Sequence, residues 1–223
     1  MKETSPKPGT KLPTKCTVIG DDDVGKSSLI AASLALYKAG DGELKMRDQE
    51  GFEGSHAVGT LNESETYILN VPIDKKHYPL SLFDTSGDES QDHSRPSLYP
   101  QTNVFLVCFS IAAPYSLEHV LEKWVPEIQL YDPDIRWVLV GLKTDLRGDI
   151  LLEKELQLCH QKMVTKEHGK ATAKALSTER YKVPYVECSA SHGQNLQEVI
   201  DEIMVAGFAG PIGQKMNRKC TIL

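Results

Sequence analysis

The segment that most constrains the fold of this chain is Gly20-Asp-Asp-Asp-Val-Gly-Lys-Ser27. It fits the pattern G-x-x-x-x-G-K-[ST] and lies between a predicted strand at residues 16–19 and a predicted helix at residues 26–37. The glycines let the backbone curl, so that its N–H groups point inward at the start of a helix and bind phosphate. We therefore predict a phosphate-binding loop, in which Lys26 contacts the β and γ phosphates and Ser27 binds Mg²⁺. Its phosphate-binding residues are Asp22, Asp23, Val24, Gly25, Lys26, Ser27 and Ser28.

Short apolar strands alternate with helical patterns along the rest of the chain. Strands are predicted at residues 65–73, 78–83, 104–109, 137–142 and 185–187, and helices at 116–130, 151–163, 165–177 and 196–208. This alternation predicts a three-layer α/β fold, with a mostly parallel six-stranded sheet, one antiparallel edge strand and helices on both faces. We expect a flexible tail at residues 1–14, one domain at 15–208 and a second flexible tail at 209–223.

Composition excludes several classes of protein. With 25 basic and 31 acidic residues the net charge is −6, which argues against non-specific nucleic-acid binding. The five cysteines are scattered without zinc-ligand spacing, and we expect them to be free thiols in a reducing cytosol, three of them in apolar surroundings. The longest apolar stretch is far shorter than the roughly 20 residues that span a bilayer.

A second motif, Phe83-Asp-Thr-Ser-Gly87, ends the third predicted strand. An acid at the end of a strand, followed three residues later by a glycine, is weak evidence alone because turns often have this pattern. After a phosphate-binding loop it predicts that Asp84 holds Mg²⁺ through water. The backbone N–H of Gly87 is predicted to contact the γ-phosphate.

Two further loops predict which base is bound. Leu142-Lys-Thr-Asp145 follows the fifth strand, where Asp145 can accept two hydrogen bonds that guanine supplies and adenine does not. The stem of Lys143 can lie along the base. The segment Ser189-Ala190-Ser191, after the sixth strand, is the companion loop around the guanine oxygen. Together these loops favour a guanine nucleotide and disfavour an ATP-dependent kinase.

At this point the chain resembles the Rho family of small GTPases from residue 15 to its C-terminus. The most specific stretches are residues 95–110 (RPSLYPQTNVFLVCFS) and residues 123–127 (KWVPE). Trp124 can be a core anchor alone, so it supports membership of the family rather than a role in chemistry. The charged helix at 151–163 falls where Rho proteins carry an insert helix. The resemblance implies a monomeric GTP-hydrolysing switch with GTP or GDP and Mg²⁺ as its ligands. It also implies effectors, exchange factors and a Rho-type dissociation inhibitor as partners, and a role in cytoskeletal or polarity control.

The first switch segment of such proteins resembles residues 51–60. This assigns base stacking to Phe52 and a Mg²⁺ ligand with a catalytic role to Thr60, and it requires about a dozen extra residues near positions 40–50. Tyr37, at the end of the first helix, is the alternative aromatic for the base.

The chain departs from the Rho pattern where hydrolysis takes place. Asp22 and Asp23 stand where Rho proteins have Gly-Ala, and Asp88 stands at the position of the catalytic Gln. At about 6 Å and an effective dielectric constant near 20, each carboxylate repels a phosphate charge by about 2–3 kcal/mol before screening. Leu142 replaces a polar Asn or Thr. This pattern resembles the Rnd and RhoBTB branches and predicts slow hydrolysis, or alternatively a pseudo-GTPase scaffold that does not cycle.

The C-terminal Cys220-Thr-Ile-Leu223 fits a C-a-a-X box, and its terminal Leu favours geranylgeranylation of Cys220. One prenyl chain gives reversible membrane binding, and the three nearby basic residues add about 1 kcal/mol each at an anionic surface. We expect the protein to divide between the cytoplasm and the cytoplasmic face of the plasma membrane or endomembranes.

Overall fold

The computed structural model describes residues 13–39, 66–74, 76–210 and 212. Within them, six strands form one sheet in the order β2-β3-β1-β4-β5-β6. β2 pairs antiparallel with β3, and the other four pairings are parallel. The predicted sheet, mostly parallel with one antiparallel edge strand, is confirmed. The strands are β1 (Thr14–Ile19), β2 (Thr66–Ile73), β3 (Lys76–Asp84), β4 (Val104–Ser110), β5 (Arg136–Leu142) and β6 (Tyr185–Glu187).

Helices cover both faces of the sheet, as predicted. On one face α1 packs against α6, and both helices contact strands of the sheet. The opposite face is covered by α2, α3 and α5. The six α-helices of the described residues are α1 (Lys26–Ala39), α2 (Pro114–His119), α3 (Val125–Tyr131), α4 (Ile150–Leu158), α5 (Lys166–Leu176) and α6 (Leu196–Phe208).

The central strand β4 shows how one apolar run serves two cores. All seven of its residues are buried. Because neighbouring side chains of a strand point to opposite faces, Leu106 and Cys108 pack under α1 and α6, while Phe105 and Phe109 pack under α2 and α3. A strand covered on both faces therefore reads as a continuous apolar run.

The long helix predicted at residues 116–130 is present, but it is not a uniform α-helix. It begins at Pro114, a residue that suits the first turn of a helix because its missing N–H has no intrahelical partner there. A π-helix at Val120–Trp124 then separates α2 from α3. Insertions of this kind are frequent near functional sites. Here the side chain of the last π-helical residue, Trp124, contacts the predicted phosphate-binding loop.

The charged helix α4 ends at Leu158, five residues before the predicted end. The Asp149 side chain caps its N-terminus by accepting from the N–H groups of Leu151 and Leu152. His160 takes a left-handed conformation with φ of 56°, which an α-helix does not continue through.

Four of the five cysteines lie among the described residues, and all four are free thiols. Cys16, Cys108 and Cys188 are completely buried, and Cys159 is exposed. The predicted apolar surroundings of three cysteines are thus confirmed, and these thiols act as small core residues.

Candidate functional site

Four predicted loops meet at one edge of the sheet. They follow β1, β3, β5 and β6, whose carboxyl ends point to the same edge because these strands are parallel. The topology therefore brings together segments that are far apart in sequence.

The loop after β1 has the backbone that its glycines predict. Gly20 has φ of 145°, and a Cβ there would lie 2.2 Å from the carbonyl oxygen of Cys108 on β4. Only glycine fits such an approach. Gly25 is also in a positive-φ conformation, and Val24 anchors the loop in the core with 2% exposure. Asp23 takes a left-handed conformation with an exposed side chain, and the exposed Ser28 lies in the first turn of α1.

Lys26 lies within the curve of this loop. Its Nζ donates to the carbonyl oxygens of Gly20, at 2.9 Å, and Asp21, at 2.7 Å. The residue is 6% exposed, and burial lowers the pKa of Lys26 although nearby carboxylates oppose the shift. The carbonyl groups of the loop thus hold the Lys26 ammonium group at the position where a phosphate-binding loop needs a positive charge.

The predicted Mg²⁺ ligands Ser27 and Asp84 are in contact. Ser27 Oγ donates to Asp84 Oδ2 at 2.5 Å, and Asp84 Oδ1 is buried without a hydrogen-bond partner. Burial raises the pKa of Asp84, against the effects of Ser27 and Lys26. A buried carboxylate oxygen with no partner, next to a hydroxyl, fits the oxygen ligands that Mg²⁺ prefers.

The part of the chain that the structure describes contains no cluster of three or more His, Cys, Asp or Glu side chains that could hold a metal. Mg²⁺ at Ser27 and Asp84 would take further ligands from water and phosphate oxygens, as is usual in nucleotide sites. The predicted ligand Thr60 lies outside the described residues. The ion would supply charge neutralisation to the phosphates.

The two predicted guanine loops are joined by hydrogen bonds. Ser189 Oγ donates to Asp145 Oδ1 at 2.5 Å and lies 3.0 Å from Ser191 Oγ. Burial acts to raise the pKa of Asp145, but hydrogen bonds from these two serines outweigh it, and the pKa lies below its ordinary value. Asp145 is thus held as a carboxylate, the form that accepts hydrogen bonds from guanine. Ala190 lies half-buried between the serines.

Lys143 links the guanine loop to the phosphate loop. It takes a left-handed conformation with φ of 61°. A Cβ on Gly25 would lie 3.8 Å from Lys143 Cε and 3.7 Å from Leu142 Cδ1. Leu142, which is 1% exposed, is a buried apolar side chain where the Rho pattern has a polar residue.

The carboxylate of Asp88 is engaged in capping. It accepts from the N–H of Ser90 at 2.8 Å, at the start of a short 3₁₀-helix, Glu89–Gln91. The hydrogen bond from the Ser90 backbone is the main reason that the pKa of Asp88 lies below its ordinary value. A carboxylate with a lowered pKa is a poorer base for activating water.

Asp22 contacts the group that the sequence analysis assigned to the γ-phosphate. Its Oδ1 accepts from the N–H of Gly87 at 2.7 Å and lies 3.9 Å from Lys26 Nζ. The Asp22 side chain is 58% exposed. This contact joins the loop after β3 to the phosphate loop.

A sequence model of the Ras family matches residues 49–207, which is more than half of the chain. The chain belongs to the Ras family. It is therefore a small GTPase, a class of molecular switch that binds GTP or GDP with Mg²⁺. The match includes the loops after β3, β5 and β6. The phosphate loop precedes the matched residues, so its assignment rests on the motif and geometry described above.

The geometry of this Ras-family protein adds one residue that the sequence analysis did not assign. Asp21 Oδ1 accepts from the indole N–H of Trp124 at 2.7 Å, and its Oδ2 lies 2.7 Å from His119 Nδ1. Trp124 is completely buried. It is thus a core anchor, as one alternative held, and it also holds the phosphate loop. An acid beside a glycine loop is no signal for such a contact, because the partner lies 103 residues away.

Arg95 begins the Rho-like stretch at residues 95–110, and it is a second residue without an assigned role that the structure shows to organise the site, here the segment after β3. With 2% exposure it donates to the carbonyl oxygens of Ser86 and Asp88, both at 3.0 Å. It also pairs with Asp92 at 2.5 Å and with Glu127 of α3 at 3.0 Å. One guanidinium therefore holds both sides of the loop that carries Gly87 and Asp88.

Some predicted site residues lie outside the described residues, namely Phe52, Thr60 and Cys220. Tyr37, the alternative to Phe52, is 7% exposed, and its hydroxyl lies 3.0 Å from Gln197 Nε2 of α6. Tyr37 belongs to α1 and is packed in the core with residues of α6, so its ring is not exposed to a base, and the assignment of Phe52 stays a prediction.

Proposed function

We propose that this Ras-family protein is a Rho-like switch that binds GTP or GDP with Mg²⁺, hydrolyses GTP slowly and signals to effectors at a membrane. The observation that carries the proposal is the meeting of two pairs at one edge of the sheet. Ser27 with Asp84 forms the metal side, and Asp145 with Ser189 forms the guanine side. Lys26 lies on the phosphate loop that both adjoin.

Two structural features support the Rho-like assignment. The Rho-like stretches include Arg95, Trp124 and Glu127, and these side chains fix the loops around the site rather than a remote surface. The helix α4 follows the Asp145 loop, where the resemblance implies an insert helix. We therefore propose effectors, exchange factors and a Rho-type dissociation inhibitor as partners, and cytoskeletal or polarity control as the process.

Membrane association is proposed from the C-terminal box alone. In the described residues, no helix has the length and apolar character needed to cross a bilayer. Geranylgeranylation of Cys220, helped by Lys215, Arg218 and Lys219, would give reversible residence on the cytoplasmic face of a membrane.

Slow hydrolysis is proposed from the two carboxylates beside the γ-phosphate position. Hydrolysis in this class requires a side chain that orients the attacking water and space for an arginine finger. Asp88 is shorter than Gln, carries no amide donor and is engaged with Ser90. Asp22 places a negative charge on the approach to Gly87.

A second candidate is a pseudo-GTPase scaffold that no longer cycles. The contact of Asp22 with Gly87 favours it, because a carboxylate of the chain itself accepts from the N–H that a γ-phosphate would use. The two candidates differ in whether the purified protein contains a bound guanine nucleotide.

The test is to identify the nucleotide released when the purified protein is denatured. We expect GDP or GTP, with Mg²⁺ retained alongside. Lys26→Ala and Asp145→Ala should each strip the nucleotide, whereas Lys170→Ala, which changes an exposed lysine of α5, should retain it. ATP in the extract would contradict the guanine assignment. Failure to bind GTP even when GTP and Mg²⁺ are supplied would favour the scaffold.

A further inference from the structure

The N–H of Gly87 already has an acceptor in this chain. Asp22 Oδ1 lies 2.7 Å away, within the normal range for a charge-assisted hydrogen bond. The carboxylate comes from the phosphate loop and the N–H from the loop after β3, 65 residues further along. A single N–H in this geometry serves one strong acceptor at a time, so a γ-phosphate can use it only after Asp22 releases it.

The same carboxylate is also near the phosphate-binding lysine. Asp22 Oδ1 is 3.9 Å from Lys26 Nζ, and it is the atom that accepts from Gly87. One oxygen of the chain thus interacts with both groups that the γ-phosphate is expected to use. The carboxylate, like a phosphate, is negatively charged and accepts hydrogen bonds through its oxygens.

Backbone packing shows independently that the two loops are drawn together. A Cβ on Gly87 would lie 2.3 Å from Asp22 N and 2.6 Å from Gly20 O, closer than side chains approach backbone atoms. The loop after β3 therefore contacts the phosphate loop as closely as glycine permits, and Asp22 closes that contact.

We propose that Asp22 is an internal competitor of the γ-phosphate and that it makes this protein prefer GDP to GTP. The inference rests on the proposed guanine-nucleotide binding and names the residue that decides between its two ligands. With GDP bound, Asp22 keeps its hydrogen bond to Gly87. With GTP bound, it must give that bond up and face the negative γ-phosphate.

This preference opposes the effect of slow hydrolysis. Slow hydrolysis alone would leave the switch filled with GTP. A competitor within the phosphate loop shifts the binding equilibrium toward GDP without GTP hydrolysis. Binding of GTP then requires the movement of one exposed side chain. Asp22 is 58% exposed, so that its movement disturbs no packed core.

The test is a comparison of the affinities for GDP and for a non-hydrolysable GTP analogue, measured by calorimetry with Mg²⁺. The parent should bind GDP at least about tenfold more tightly, because the analogue breaks a hydrogen bond to a charged group and brings its negative γ-phosphate close to the Asp22 carboxylate. Asp22→Ala should tighten binding of the analogue by about tenfold and leave the affinity for GDP within about threefold. The matched control is Asp134→Asn, which removes one exposed carboxylate charge just before the start of β5, at the edge of the sheet opposite the site.

Hydrogen exchange at the Gly87 amide supplies a second measurement that does not depend on GTP. In the GDP complex this amide should be protected in the parent and in Asp134→Asn, and exposed in Asp22→Ala. Equal gains in affinity for both nucleotides, equal effects of Asp22→Ala and Asp134→Asn, or an unprotected Gly87 amide in the parent would each overturn the inference. Binding of neither nucleotide by any variant would overturn the proposed function, and this inference with it.

Discussion

The indole N–H of Trp124 donates to Asp21 Oδ1 at 2.7 Å, so the end of the π-helix is bonded directly to the phosphate loop. His119, on the preceding turn of the same helical segment, holds the other oxygen of Asp21. The loop that is expected to bind phosphate is therefore positioned from outside by a helical segment as well as by its own glycines. Substitutions on that helical segment should therefore alter nucleotide binding.

The first prediction tests this contact with Trp124→Phe. The variant keeps a large ring in the core but removes the N–H, and leaves an oxygen of Asp21 without that donor. We expect a loss of about 1–3 kcal/mol in the free energy of unfolding and faster release of GDP. Urea unfolding and the displacement of a fluorescent GDP analogue measure the two effects.

The control is Trp137→Phe, at the first half of β5 and away from the loops at the carboxyl edge. It also shrinks a buried indole, so it should destabilise the protein without changing the release of GDP. Equal release rates in the two variants would contradict a specific role for the Trp124 contact.

The second prediction concerns Arg95. A lysine at this position cannot reproduce the fork that reaches two carbonyl oxygens and two carboxylates at once. Because the group is buried, we expect Arg95→Lys to lower the free energy of unfolding by about 3–5 kcal/mol. Denaturant unfolding is the measurement.

The control is Arg147→Lys, which makes the same change in a more exposed pair with Glu187 and should lower the free energy of unfolding by less than about 1 kcal/mol. Similar losses in both variants would show that Arg95 does not organise the loop after β3.

The third prediction is that GTP hydrolysis by the parent is slower than in an ordinary Rho protein and is barely raised by an activating protein. An arginine finger contributes about 10³–10⁵ in rate only when it reaches the γ-phosphate beside a positioned water. Restoring both Gly at 22 and Gln at 88 should recover hydrolysis. Asp22→Gly or Asp88→Gln alone should recover less, because both groups serve one transition state.

Single-turnover hydrolysis of GTP by the parent and these three variants measures the effect. A parent rate equal to that of a typical Rho protein, unchanged in the double variant, would show that the two carboxylates do not limit the reaction.

The fourth prediction concerns lipidation at the C-terminus. A geranylgeranyl transferase should modify the protein, and Cys220→Ser should abolish both the modification and sedimentation with anionic vesicles. Cys159→Ser is the control, because this cysteine is exposed but lies far from the chain end in sequence. If the Cys220→Ser variant sediments as well as the parent, membrane binding comes from another part of the chain.

The amino-acid sequence determined the layout of the fold and the location of the site. Apolar runs fixed the six strands, and β6 and α6 have the predicted bounds. Ser27 and Asp84, both assigned to Mg²⁺ from the sequence, lie together because each follows a strand whose carboxyl end is at the same edge. Such features depend on local periodicity and on motifs with a fixed relation to their own strand.

Only the tertiary structure decided which side chains of separate segments meet. Asp22 with Gly87, Asp21 with Trp124 and Arg95 with Glu127 each join residues whose local sequence gives no hint of the partner. The π-helix at Val120–Trp124 was also not predicted, because the apolar pattern of the segment did not distinguish it from an ordinary α-helix. These contacts depend on strand order and on the distances between packed elements, because a side chain's nearest partner is set by the fold around it.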